Sequence, residues 1–174
     1  MRLSLVSLTI AGALLGHAAL AASSSCVRDP ERAAIDVEGL KSELMVTALQ
    51  CDARPRYNAF VNRYKGELNS DEKQLGGYFS RSYGRTSRTQ QDSYITNLAN
   101  GQSNAGTKQG TLFCQQHLPM FDEVMALRSD AELAEYAAGQ DLTQPISEDV
   151  CAAGPERGRS VVRAAARHTT HAKR

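Results

Sequence analysis

Residues 35–51 read Ile35-Asp-Val37-Glu-Gly-Leu40-Lys-Ser-Glu-Leu44-Met-Val-Thr-Ala48-Leu-Gln-Cys51. Val37, Leu40, Leu44, Ala48 and Cys51 recur at steps of three and four, so they lie on one stripe of an α-helix that faces a core. Toward the C-terminus the same period continues. Pro55 sits where a first-turn proline is tolerated, and Tyr57, Phe60, Val61, Tyr64 and Leu68 form a second stripe. Ser70 is placed to cap a third helix, with Asp71 and Glu72 at its positive end. That helix carries Leu75, Tyr78, Phe79 and Tyr83 and is expected to stop at Gly84. Gly76-Gly77 inside it costs about 1 kcal/mol per glycine relative to alanine, or lets a neighbour approach closely.

A fourth helix begins at Ser87 or Thr89, carries Tyr94, Ile95, Leu98 and Ala99, and is expected to end in the Gly/Asn/Ser-rich stretch 100–106. A fifth spans 107–127 with Leu112, Phe113, Phe121, Val124 and Leu127, and Pro119 must kink or divide it. Ser129 and Glu132 form a capping box for a sixth, carrying Leu133, Tyr136 and Ala137 and closed by Gly139. No stretch alternates apolar and polar residues over five positions with the β-branched enrichment of a strand. The expected fold is all-α, a small antiparallel bundle of five to six helices with short connections. Periodicity stops at Asp141.

Toward the N-terminus, Arg2 is the only charge before Arg28, and an apolar Leu/Ile/Ala stretch ends in the small-residue run at Ala19-Leu-Ala21-Ala22. That layout is a secretory signal peptide over 1–22, cut near Ala21 or Ala22. Gly12, Gly16 and His17 interrupt the apolar run, which disfavours a membrane anchor. Ser23-Ser24-Ser25 before Cys26 lacks the aliphatic residue of a lipidation signal. The export signal places a single domain, 23–154, in a bacterial periplasm or outside the cell, with no membrane span after cleavage.

Charge divides the chain. Residues 23–154 hold 13 basic and 18 acidic side chains, whereas 155–174 hold Arg157, Arg159, Arg163, Arg167, Lys173 and Arg174 against Glu156 alone. This basic tail is expected to be disordered. Its charges are sparse and no aromatic residue lies among them, so a nucleic-acid partner is not expected.

The four cysteines, Cys26, Cys51, Cys114 and Cys151, read as two disulfides in an exported chain. Their wide spacing contains no C-x-x-C, which argues against zinc, haem attachment or a redox pair. The favoured pairing is Cys51–Cys114 with Cys26–Cys151; Cys26–Cys51 with Cys114–Cys151 stays open.

The most site-like stretch surrounds the fourth helix, where Arg81, Tyr83, Arg85, Arg88, Asp92, Tyr94, Asn97, Asn100 and Gln102 cluster. Arg88 and Asp92 are four apart, Tyr94 and Asn97 three apart, so each pair shares a face able to hold a sugar or carboxylated ligand, or simply to be solvated. His117 reads as a partly buried, hydrogen-bonded histidine beside a disulfide rather than a metal ligand or the partner of a free thiol. Asp71-Glu72 and Asp122-Glu123 are adjacent, so their carboxyls diverge and do not converge across a glycosidase cleft. Hydrolase, zincin, P-loop and dinucleotide signatures are absent. No catalytic residue, metal or cofactor is therefore expected. The general plan is shared, as a class, by periplasmic acid-stress chaperones and by exported binding modules, and a fold does not specify a function. The expected role is a non-enzymatic exported module that binds an envelope protein or component. The alternatives are a small envelope enzyme or carbohydrate-binding domain using the Arg88–Asn97 face, and a stress chaperone.

Overall fold

The structure is a computed structural model that describes residues 26–146 and Cys151. The expected signal peptide over 1–22, its expected cleavage site and the tail 155–174 lie outside the described residues. The described chain is all-helical: α1 (Asp29–Gln50), α2 (Arg54–Arg63), α3 (Lys65–Tyr83), α4 (Ser87–Gln109), α5 (Thr111–His117), α6 (Pro119–Ala126) and α7 (Asp130–Ala138), with a 3₁₀ turn over Gly84–Thr86. Pro119 divides the expected fifth helix into α5 and α6, which raises the helix count to seven.

Helix α1 is the central element and begins earlier than its core stripe suggests. Pro30 lies in its first turn, and the Arg28 N–H donates to Glu31 Oε2 at 2.9 Å, satisfying a donor that the helix start would otherwise orphan. Val37, Leu40, Leu44 and Ala48 enter one apolar cluster with Phe60 and Tyr64 from α2 and its end, Phe121 and Val124 from α6, and Leu133 and Ala137 from α7. Ile35 enters a second cluster with Val27, Leu75, Tyr78, Phe79, Tyr94 and Leu98. Serving two clusters leaves α1 buried almost all round, and Glu31, Glu38, Ser42, Glu43 and Thr47 are buried along with its apolar residues. Polar groups on a central helix must find partners or stay neutral.

Two expectations about helix ends are overturned. Ser70 caps nothing: α3 begins at Lys65, and the Leu68 N–H bonds the Tyr64 carbonyl at 2.9 Å, so Ser70 lies inside the helix. The Tyr64 hydroxyl donates to the Val124 carbonyl at 2.7 Å and fixes the α2–α3 junction on α6. The 100–106 stretch does not end α4 either; the helix runs on to Gln109 and stops at Gly110, whose φ of 60° is left-handed. Its glycines are packing sites. A Cβ at Gly106 would meet Gln50 Oε1 at 2.7 Å and the Phe113 ring at 2.9 Å, and one at Gly101 would meet Thr143 at 3.2 Å. Close approach outweighs the low helix propensity of glycine.

The remaining boundaries follow the sequence. Gly84, at φ 54°, ends α3. Ser129 Oγ accepts from the Glu132 N–H at 3.2 Å, and Glu132 returns a bond from the Arg128 N–H at 2.7 Å. Both disulfides adopt the favoured pairing: Cys51–Cys114 ties the end of α1 to α5, and Cys26–Cys151 joins the two ends of the described region. Two formed bridges are compatible with an oxidising, exported location. Among the described residues, no helix is long and apolar enough to cross a membrane.

After α7, residues 141–146 lie as an extended strap across α1 and α4. Gln144 Nε2 donates to the Ile35 carbonyl at 2.9 Å, and Gln144 Oε1 accepts from the Tyr94 hydroxyl at 3.0 Å. Gly39 makes room for it, since a Cβ there would lie 2.1 Å from Gln144 Nε2.

Candidate functional site

The polar stretch of α4 is split by its own period. Tyr94, Leu98, Gln102 and Gly106 recur every four residues and form the buried stripe. Tyr94 is 4% exposed and lies 5.6 Å from the Phe79 ring. Burial above all keeps its phenol protonated well beyond the ordinary range. Gln102 is buried as well and donates to the Gly39 carbonyl at 3.0 Å. Arg81 turns to α1, where it pairs with Glu31 and donates to the Cys26 carbonyl at 2.9 Å. Burial raises the Glu31 pKa, but the bonds from Arg81 and from the Arg28 N–H outweigh it and hold the carboxyl below its usual value. Arg88 and Asp92 stay on the exposed side and do not pair with each other.

The structure thus brings Tyr94 and Asn97 together and leaves Arg88 and Asp92 apart from them. Asn97 and the edge of Tyr94 line a cleft of about 140 Å³ with Tyr83, Gln90, Ser93 and Pro145. Tyr83 is 40% exposed and stacks on Phe79 at 5.6 Å, so it offers an aromatic face beside amide and hydroxyl groups.

His117 stacks on Phe113 at 4.2 Å, and its Nδ1 lies 3.0 Å from Glu43 Oε1 without the alignment of a good hydrogen bond. Burial raises the Glu43 carboxyl and lowers the His117 imidazole, so each is pushed toward its neutral form. Cys114, three residues earlier, is bound to Cys51 and supplies no thiol to this pair. The adjacent carboxylates diverge: Asp71 is buried and Glu72 exposed, while Asp122 pairs with Arg56 and Glu123 accepts from the Tyr136 hydroxyl at 2.6 Å. Among the described residues, no group of three His, Cys, Asp or Glu side chains is placed to hold a metal ion.

A second surface feature lies between α1 and α4. Met45, Val46, Leu49 and Ala99 form the apolar floor of a groove of about 190 Å³, rimmed by Gln50, Asn100 and Ser103. Leu49 is 54% exposed. Gln50 Nε2 donates to the Ser103 carbonyl at 3.2 Å and sets the rim. Sequence reasoning centred on the core stripe passed over this groove. Its signal was present: Met45 and Leu49 are four apart on α1 and off the Val37–Ala48 stripe. No protein-family model, curated protein or solved structure matches this chain.

Proposed function

We propose that the protein is an exported, non-enzymatic helical module that docks on an envelope protein through the α1–α4 groove. The observation that carries this reading is the half-exposed Leu49 in an apolar groove with an uncharged rim of Gln50, Asn100 and Ser103. The floor accepts small apolar side chains and the rim offers amides and a hydroxyl, which suits an amphipathic helix laid in the groove. Its partner is therefore an envelope protein presenting such a helix. The antiparallel bundle and the two bridges serve as a rigid scaffold that presents the groove.

Replacing Leu49 by Asp tests this. The exposed side chain contributes little to folding, so thermal stability should hold, whereas recovery of the envelope protein bound by the wild type should fall at least tenfold. Equal recovery by both proteins, or turnover of a cell-wall substrate by the purified domain, overturns the reading.

The second reading, a carbohydrate-binding domain, is favoured by the cleft over Tyr83. An exposed ring flanked by Gln90, Ser93 and Asn97 offers a flat apolar face and hydrogen-bonding groups to a sugar. Alanine at Asn97 should then abolish sugar binding without lowering stability, and alanine at Asp92, outside the cleft, should leave binding unchanged. Asn97→Ala binding cell-wall glycan as the wild type does would remove this reading.

A further inference from the structure

The junction of α1, α3 and α7 gathers acidic side chains around one buried carboxyl. Asp71 of α3 is 8% exposed, and its Oδ2 accepts no hydrogen bond. Glu67 faces it from the same helix, Glu38 from α1 and Asp130 from the first turn of α7. Lys41 of α1 is the one cation facing it among the described residues, and its Nζ is already engaged by Glu38 Oε2. Glu72 of α3 adds negative charge beside Glu38, and Tyr57 of α2 lies near Glu38 and Lys41.

A buried carboxylate with an unpartnered oxygen and three acidic neighbours is a costly arrangement. A buried carboxylic acid in the same place is not, because it carries one charge fewer. We propose that this junction is a proton-dependent latch, in which neutral Asp71 holds α3 tightly against α1 and the start of α7, and ionised Asp71 loosens them. Burial first, and then the charges of Glu67, Glu38 and Asp130, move Asp71 from 3.8 to about 6, against the pull of Lys41. The same burial raises the Glu38 and Glu67 carboxyls. A group raised in the folded state binds its proton more tightly there than in the unfolded chain. Its stabilisation is complete below pH 3.8 and is lost as the pH rises through about 6.

The test uses the oxidised full-length protein and its Asp71→Asn variant, which keeps the shape of the neutral acid. Urea unfolding and amide exchange of α3 are followed at pH 5 and pH 7.5. The wild type should unfold less readily at pH 5 than at pH 7.5 by about tenfold in the equilibrium constant, the part of the displacement from 3.8 to about 6 that is realised at pH 5. Asp71→Asn should lose most of that difference and match or exceed the wild type at pH 7.5. A variant that keeps the full wild-type pH dependence, or a wild type no tighter at pH 5, overturns the latch. Should Asp71→Asn fail to fold, Glu67→Gln and Asp130→Asn each remove a facing charge. Both should move the wild-type transition to lower pH, and an unmoved transition in both overturns the latch as well.

Discussion

A methyl group added at Gly39 would land 2.1 Å from Gln144 Nε2, inside the distance at which atoms overlap. Gln144 cannot yield cheaply, because its amide holds both the Ile35 carbonyl and the Tyr94 hydroxyl. Gly39→Ala should therefore cost about 1–3 kcal/mol in urea unfolding and release the strap, seen as faster amide exchange over 141–146. Gly77 is the matched control, since it is exposed within α3 and a Cβ there would meet nothing within 4 Å. Gly77→Ala should raise stability by about 0.5–1 kcal/mol through helix propensity and the entropy of the unfolded chain. Equal effects of the two substitutions would mean that the strap contributes nothing to folding.

Among the elements, α7 depends most visibly on a single cap. Ser129→Ala removes the bond from the Glu132 N–H and should cost about 1 kcal/mol, read as a lower melting temperature, with exchange accelerated first in the initial turn of α7. That cap was legible in the sequence, as were the α1 core stripe, the break at Pro119, the stop at Gly84 and the favoured disulfide pairing. The first four depend on a local rule, namely a cap, a period, a missing N–H or a left-handed residue, and the pairing follows from where the helices carry their cysteines. What was not legible depends on contacts between distant segments. The glycines at 101 and 106 look like a helix end until Thr143 and Phe113 are seen against them. Ser70 looks like a cap until Tyr64 joins α2 to α3 almost without interruption. The site divides the same way. The sequence takes Arg88, Asp92, Tyr94 and Asn97 as one face, which the packing of α4 splits, and Tyr83 beside Asn97 and Leu49 beside Ala99 are pairings that only the tertiary packing makes.

For the molecule as a whole, pH and the two bridges set stability. Glu38, Glu43, Glu67 and Asp71 are all raised, and each favours folding more as the pH falls. Glu31 and His117 are lowered and work in the opposite direction as the pH falls below their ordinary values. The melting temperature should accordingly peak on the acid side of neutrality, at about pH 5, and fall toward pH 7.5. Dye-binding apolar surface should not appear at that pH, a result counter to a chaperone opened by mild acid. Chain entropy makes the Cys51–Cys114 bridge, separated by 63 residues, worth about 4 kcal/mol and the Cys26–Cys151 bridge, separated by 125, worth about 5 kcal/mol. Cys26→Ser with Cys151→Ser should lower the melting temperature and free the strap while leaving exchange in α6 and α7 slow. The position of that bridge has a mechanical consequence. The Cα atoms of Cys26 and Cys151 are 4.8 Å apart, so the backbone enters and leaves the domain at one point. Tension between whatever precedes residue 26 and whatever follows residue 151 passes through a single sulfur–sulfur bond, and the helices hang from it unloaded.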